Sequence, residues 1–195
     1  MKESDNKNIN VVAKDYIHLM TYMMVGVILV GPEIVKILAS KIYWEGIIII
    51  PPVVLANFVI FAYTLYVNIE HYHKKTIYIT FNTIIAAGTN IILNFILIPK
   101  YGYIAAAYTT LISYLIAFLL HSRYAKKLES TLYPLKVFLV PFFHLLVAIV
   151  LFYVFIENYW VRWIFVIIYA LAILCIEKNR MVAYFPSLRY KKRRE

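Results

Sequence analysis

Charged residues are scarce in this sequence. Only 15% of its 195 residues are Asp, Glu, Lys or Arg, whereas 63% are hydrophobic and the mean hydropathy is +0.74. A soluble domain is about half apolar and about a quarter charged. The composition therefore excludes an ordinary soluble protein and indicates an integral membrane protein, in which each crossing helix needs about 20 mostly apolar residues.

Cysteine is almost absent, and a signal peptide is missing. Cys175 is the single cysteine, so the chain can form no internal disulfide. Residues 1–15 are polar and contain no apolar run followed by a small-residue cleavage site. We therefore expect that residues 1–15 are not a signal peptide.

The motifs of the common enzyme classes are also lacking. The sequence has no nucleophile elbow, no glycine-rich phosphate loop, no HExxH and no paired carboxylates. His71 and His73 are two residues apart, so they point apart on a helix, and no third ligand is near in sequence. We therefore predict a protein that is not an enzyme, with no cofactor and no metal site.

What the sequence does contain is a series of long apolar runs. Their continuity favours helices, because the strands of a membrane barrel alternate in polarity and have about 10 residues. We predict an all-α polytopic membrane protein with six transmembrane helices. The apolar runs are Tyr16–Leu38, Ile47–Val67, Thr76–Ile98, Tyr103–Leu120, Val137–Ile156 and Val161–Ile176.

The basic residues distinguish the two sides of the membrane on which the connecting segments lie. Most of the 20 Lys and Arg fall on the side of the N-terminus, and short loops rich in Lys and Arg stay in the cytoplasm. We therefore predict a protein of the cytoplasmic membrane with both termini cytoplasmic. The expected divisions are an N-terminal segment 1–15, four helices in 16–120, a basic loop 121–136, two more helices in 137–176 and a basic tail 177–195.

The basic tail lies too close to the bilayer to suggest a nucleic-acid partner. Anionic lipids attract such a segment by about 1 kcal/mol per basic residue near the surface. We expect membrane lipids to be its partners, through the head-group contacts of Lys191, Lys192, Arg193 and Arg194.

Two neighbouring segments carry stripes of small and polar residues at spacings of three and four. Such a stripe lies on one face of a helix. One interpretation is close helix–helix packing with hydrogen bonds across the contact, which is common in membrane bundles; the other is a polar substrate cavity. Asn57 and Asn82 allow the same two interpretations. The stripes consist of Thr83, Ala87, Asn90 and Asn94, and of Gly102, Ala106, Thr109 and Ser113.

Where the first stripe ends and the second begins, Pro99 and Gly102 predict a hinge. The residue before a proline avoids the α region, so Pro99 is expected to end one helix. Gly102 has the backbone freedom for a tight turn.

Ionisable residues inside the apolar runs are few, and each is by default a functional candidate. Glu33 lies three residues before Lys36, a spacing that favours a local ion pair. His144 could hydrogen-bond to a neighbouring helix or titrate in a pathway. Pairing with a local partner is the commoner role, and the sequence favours it for both.

The stretch NIILNFILIPKYGYIAAAYTTLISYLIAFLL, residues 90–120, resembles the C-terminal signature of polysaccharide-biosynthesis flippases. These belong to the multidrug/oligosaccharidyl-lipid/polysaccharide exporter superfamily. The stretch GPEIVKILASKIYWEGIIIIPPVVLANF, residues 31–58, resembles an upstream segment of the same family, and the short basic KKT loop at 74–76 fits as well. Ala105 departs from the glycine that the family often has. The matching positions are Asn90, Asn94, Ile98, Pro99, Gly102, Ala106, Ala107 and Thr110.

The resemblance implies a transporter of two six-helix lobes, often with two additional C-terminal helices. It would move an undecaprenyl-diphosphate-linked oligosaccharide across the cytoplasmic membrane. On this alignment the chain holds the last four helices of the second lobe and the two additional helices. We expect a C-terminal fragment or a separately encoded part, with the missing N-terminal lobe or glycan-assembly proteins as partners.

The resemblance leaves one requirement unmet. The first lobe would carry basic residues for the diphosphate, and we expect no buried Arg or Lys within the spans of this chain. Two alternatives remain open: a non-transporting membrane subunit of a glycan-assembly complex, and a multidrug/cation antiporter of the same superfamily.

Overall fold

The protein is all-helical. A computed structural model describes residues 3–184, with side chains for residues 6–176, and this part of the chain contains no strand. The all-α prediction is therefore confirmed. The helices are α1 (Glu3–Leu38), α2 (Ile50–Tyr72), α3 (Thr76–Leu128), α4 (Leu139–Val154) and α5 (Tyr159–Tyr184), with short 3-10 helices at Lys41–Ile49 and Leu135–Phe138.

Five helical stretches in the described residues are long and apolar enough to cross a membrane. This agrees with a multi-pass membrane protein. Their outer faces remain strongly apolar; Phe95, for example, is 83% exposed. A surface of this kind suits lipid rather than water. The stretches are Asn6–Leu38, Lys41–Tyr72, Thr76–Leu128, Leu135–Val154 and Tyr159–Ile176.

Helix α3 folds back on itself at Gly102. A straight helix of 53 residues would be about 80 Å long. Gly102 instead has φ 62° and ψ −151°, outside the helical region. The folding back brings Thr109 into hydrogen-bond contact with Asn94 and stacks Tyr78 on Tyr124 with ring centroids 4.0 Å apart. We call residues 76–101 the first arm of α3 and residues 103–128 its second arm.

Gly102 is therefore the hinge that the sequence predicts, but Pro99 does not end the helix. Pro99 lies inside α3, and helical residues continue to Tyr101. A proline removes one backbone hydrogen bond of a helix. Because Pro99 is close to the end of the first arm, the loss of this hydrogen bond costs little. The chain reverses instead at Gly102, which has no Cβ.

Two helices extend past the predicted apolar runs. Helix α1 begins at Glu3 rather than at Tyr16, and α3 continues to Leu128 rather than ending at Leu120. The start of α1 also packs against the turn after α3, where polar side chains bond to each other.

This contact is an amide clamp, formed by Asn6 and Asn10 of α1 on residues 129–133. Asn6 Nδ2 donates to Glu129 Oε1 at 2.9 Å and to Thr131 Oγ1 at 2.8 Å. Asn10 Nδ2 donates to the Thr131 carbonyl at 2.8 Å, and Asn10 Oδ1 accepts from the Tyr133 backbone N–H at 2.9 Å. Burial also raises the pKa of the Tyr133 phenol, which keeps it neutral. The clamp fixes the turn that leads into α4.

The core lies where α1, α2 and α4 meet. Ile17, Phe58, Tyr66, Leu145 and Phe152 belong to one cluster and are fully buried. The Tyr66 hydroxyl donates to the Tyr133 carbonyl at 2.7 Å, so the one polar group of this set is satisfied. Helix α2 also contacts the second arm of α3, where the rings of Tyr66 and Phe118 lie with centroids 5.7 Å apart.

Candidate functional site

A cavity of about 240 Å³ lies between α2 and the two arms of α3. Its wall combines small side chains, hydroxyl groups, an amide and a histidine, within helices that are otherwise apolar. Thr83 and Ala87 line the cavity and are also exposed, so it opens along the first arm. The lining residues are Tyr63, Thr83, Ala86, Ala87, Asn90, Thr110, Ser113, Tyr114, Ala117 and His121.

The two stripes found in the sequence meet at this cavity. Thr83 Oγ1 donates to the Ile79 carbonyl at 2.8 Å, and Ser113 Oγ donates to the Thr109 carbonyl at 2.7 Å. Each hydroxyl thereby uses its one proton within its own helix and keeps lone pairs to accept another bond. The wall can therefore accept hydrogen bonds from a ligand rich in O–H groups.

Asn94 and Thr109, one from each stripe, connect the two arms of α3. Thr109 Oγ1 donates to Asn94 Oδ1 across the contact, and Asn94 Nδ2 donates to Asn90 Oδ1 at 2.9 Å. Asn94 thus links the contact between the arms to a residue of the cavity wall. The two interpretations apply to different residues: packing fits Asn94 and Thr109, while Thr83, Asn90 and Ser113 line the cavity.

Two further asparagines lie elsewhere. Asn57 is exposed, and its Nδ2 donates to the Val53 carbonyl of its own helix at 2.8 Å. Asn82 is buried, at 8% exposure, but outside the cavity lining. The structure therefore does not bring either residue to the site. The tail residues Lys191, Lys192, Arg193 and Arg194 lie outside the described part of the chain.

A buried carboxylate–imidazole pair adjoins the cavity. His121 Nδ1 lies 2.8 Å from Glu70 Oε2, and the side chains are 1% and 0% exposed. The Tyr63 ring stacks on the His121 ring, with centroids 5.6 Å apart and planes 17° apart. Glu70 Oε1 and His121 Nε2 are buried and have no hydrogen-bond partner. One residue of the cavity wall, His121, therefore belongs to a buried ionisable pair in which each member has one polar atom without a partner.

Sequence reasoning missed this pair because both residues stand next to basic runs. Glu70 lies in NIEHYHKK, between two predicted crossings, and His121 opens the predicted basic loop 121–136, so polarity alone indicates water around both. A signal for His121 was present. The spacing of four from Ser113 to Ala117 continues to His121, on the same helical face as the polar stripe.

Glu33 pairs with Arg162 of α5 rather than with Lys36. Arg162 NH2 donates to Glu33 Oε1, and the Arg162 side chain is 1% exposed. The Lys36 amine instead lies 5.6 Å from the centroid of the Trp44 ring. The expectation that the spans contain no buried Arg or Lys is therefore wrong.

The Nε and NH1 groups of Arg162 also donate hydrogen bonds. Its Nε donates to the Leu29 carbonyl at 3.2 Å, and its NH1 donates to the Phe155 carbonyl at 2.7 Å and to the Ile156 carbonyl. These last two carbonyls follow the C-terminal end of α4, where a cation is favoured. Arg162 therefore joins α1, α4 and α5, and it does not line the cavity.

His144 contacts a neighbouring helix. Its Nδ1 lies 3.3 Å from the Tyr169 hydroxyl of α5, and its ring also approaches Tyr22 of α1. These contacts agree with the hydrogen-bonded pairing that the sequence favours. His144 is not among the residues that line the cavity.

The geometry shows a small polar cavity within the apolar part of the bundle. Hydroxyl groups, an amide and the His121 imidazole line it, and His121 pairs with the buried Glu70 carboxylate. Within the described residues, no group of three His, Cys, Asp or Glu side chains is placed to hold a metal ion. Comparison with protein-family models, with curated proteins and with solved structures finds no match.

Proposed function

We propose that the chain is the C-terminal part of a flippase. It would move an undecaprenyl-diphosphate-linked oligosaccharide from the cytoplasmic to the outer leaflet for surface polysaccharide assembly. The observation that carries the proposal is the polar cavity, whose wall includes Asn90 and Thr110 from the stretch that resembles such flippases. A diphosphate and a sugar cannot enter hydrocarbon without compensating polar contacts.

The proposed topology has six crossings, with both ends in the cytoplasm. Each arm of α3 has about 26 residues and is about 39 Å long, enough for a hydrocarbon core of about 30 Å. Counting the two arms separately turns five apolar stretches into six crossings. An even number of crossings places both ends on one side, as the distribution of basic residues favours.

The size of the cavity limits what this chain binds by itself. Small-molecule pockets measure about 300–1,000 Å³, so a cavity of about 240 Å³ suits one sugar residue rather than a whole oligosaccharide. The cavity opens along the first arm of α3, where a second lobe could complete the path. We propose that a partner, the N-terminal lobe, supplies the rest of the binding surface.

The same partner would also supply the cations for the diphosphate. The Nε and NH1 groups of Arg162 are bound to three backbone carbonyls, and its NH2 group is bound to Glu33. Moving Arg162 to a phosphate would leave the Glu33 carboxylate uncompensated in a low-dielectric site, which is costly. Arg162 is thus a structural residue in this proposal.

Deletion of the gene in the source cells tests the proposal. We expect lipid-linked repeat units to accumulate on the inner leaflet and surface polysaccharide to fall. Complementation with Asn90→Leu, which fills the cavity, should fail, whereas Asn57→Leu, at an exposed site outside it, should restore surface polysaccharide. Normal surface polysaccharide in the deletion strain would rule the flippase out.

A multidrug/cation antiporter is the second candidate, favoured by the aromatic part of the wall. The rings of Tyr63 and Tyr114 stack with centroids 6.2 Å apart and both line the cavity. Aromatic faces bind organic cations. This candidate predicts that deletion lowers resistance to cationic drugs and leaves surface polysaccharide unchanged.

A further inference from the structure

We propose that the 3-10 segment Lys41–Ile49 is a movable element at the start of α2, and that the Tyr153 hydroxyl is the latch that holds it in the described conformation. The pivot is the proline pair Pro51–Pro52, in the first turn of α2. The Tyr153 hydroxyl donates to the Ile48 carbonyl at 3.1 Å, across 105 positions of the chain. This device goes beyond the proposed flippase activity and needs no ligand, because it follows from the backbone donors of the chain.

The proline pair explains why the segment before α2 is a 3-10 helix. A carbonyl accepts from the N–H four residues on in an α-helix, and from the N–H three residues on in a 3-10 helix. The residue four positions after Ile47 is Pro51, which has no N–H. The Ile47 carbonyl instead accepts from the N–H of Ile50, three residues on. The α-helical pattern of α2 therefore cannot continue back through this point.

The Ile48 carbonyl lacks both helical donors. Pro51 lies three residues after it and Pro52 lies four residues after it, so neither a 3-10 bond nor an α bond can form. The side chains of residues 46–52 carry no N–H or O–H group that could replace them. An unpaired carbonyl in an apolar region is costly, and the Tyr153 phenol of α4 supplies the missing bond. This one bond therefore ties the start of α2 to α4.

Few buried side chains restrain the 3-10 segment. Among its nine residues, all of which the structure describes, Ile47 is the one that is fully buried, and Trp44 packs partly on the core. Runs of 3-10 helix longer than three or four residues are uncommon. Elements with few buried contacts open most easily. When Tyr153 releases the Ile48 carbonyl, the segment therefore turns about the proline pair and moves away from α4 as a unit.

A second phenol on the same segment provides the matched control. The Tyr103 hydroxyl donates to the Glu45 carbonyl at 3.3 Å. The residues three and four positions after Glu45 are Ile48 and Ile49, and both have an N–H. Removal of the Tyr103 hydroxyl therefore leaves that carbonyl with a helical donor, whereas removal of the Tyr153 hydroxyl leaves the Ile48 carbonyl with none.

Distances between spin labels test the latch in lipid nanodiscs. In a Cys175→Ser background, labels at the exposed positions Ile42→Cys and Leu146→Cys report the separation of the segment from α4. We expect one distance with the native tyrosines and a second, longer distance with Tyr153→Phe. Tyr103→Phe should keep the single distance. An unchanged single distance with Tyr153→Phe, or the same second distance with both variants, would overturn the proposal.

Restoring the missing donor tests the cause. Pro52→Ala supplies an N–H four residues after Ile48, so the carbonyl no longer needs the phenol. Tyr153→Phe added to Pro52→Ala should then leave the single distance unchanged. A second distance in this double variant would show that the latch does not depend on the proline pair, and it would overturn the assignment.

Hydrogen exchange of the unmodified protein avoids dependence on the variants. We expect the amides of residues 42–49 to exchange at one common rate, about tenfold or more faster than the amides of residues 53–65 inside α2. Equal rates in the two ranges would overturn the movable segment. A rate that falls steadily from residue 42 to residue 49 would show fraying from one end instead of motion as a unit, and it would overturn the pivot.

Discussion

The guanidinium of Arg162 on α5 donates to the carboxylate of Glu33 on α1, although the two residues are 129 positions apart in the chain. The same side chain also bonds to carbonyls at the end of α4. One cation therefore fixes the meeting point of three helices. Its burial makes this arrangement sensitive to removal of either partner.

Replacing Arg162 is predicted to destabilise the bundle strongly. Arg162→Met leaves the Glu33 carboxylate without a partner, which costs about 3–5 kcal/mol for a buried pair. The double variant Glu33→Gln with Arg162→Met should recover part of that loss, because no unpaired charge remains. The measurement is unfolding by SDS titration in mixed micelles. Lys36→Met is the control and should change stability by less than about 0.5 kcal/mol; additive effects of the two buried substitutions would contradict the pairing.

Gly102→Ala is predicted to destabilise the reversal of α3 by about 1–3 kcal/mol, because ψ −151° with φ 62° is a conformation that only glycine adopts easily. The expected loss of stability does not come from a steric clash, since a Cβ at this position meets nothing within 4 Å. Gly88 of the same helix provides the matched control. A Cβ there also meets nothing within 4 Å, and Gly88→Ala should stabilise the helix by about 0.5–1 kcal/mol. Equal effects of the two substitutions would show that the hinge does not depend on glycine.

The amide clamp gives a third prediction. Asn10→Ala removes one donor and one acceptor from the turn after α3, and each hydrogen bond contributes about 0.5–1.5 kcal/mol. We expect faster protease cleavage within residues 129–134 and a lower thermal midpoint. Asn8, which is exposed on the same helix, is the control, and Asn8→Ala should leave both properties unchanged. If the two alanine variants are cleaved at the same rate, the clamp has no role in ordering the turn.

The sequence predicts features that depend on one helix and misses those that depend on two. Apolar length predicts the membrane helices, and the backbone freedom of glycine predicts the hinge at Gly102. The two stripes, which contain Thr83 and Asn90 and Ser113 respectively, are visible because helical spacing alone places the members of each stripe on one face. The partners of Glu70 and Arg162 are not visible, since polarity assigns an isolated charge near a segment end to solvent. Only the packed bundle shows that each of these charges has a partner on another helix.

The fold-back of α3 can be tested directly by cross-linking. Tyr78 and Tyr124 stack with ring centroids 4.0 Å apart, whereas in a straight helix they would be about 69 Å apart. In a Cys175→Ser background, the double variant Tyr78→Cys with Tyr124→Cys should form an intramolecular disulfide or a short bis-maleimide cross-link, detected by mass spectrometry. The pair Tyr78→Cys with Tyr108→Cys is the matched control and should not cross-link, because Tyr108 lies near the opposite end of the second arm. If neither pair cross-links, α3 does not cross the membrane twice. That result would contradict the proposed six-crossing topology. Cross-linking of the first pair alone would support two antiparallel arms and, with them, the cavity that they form with α2.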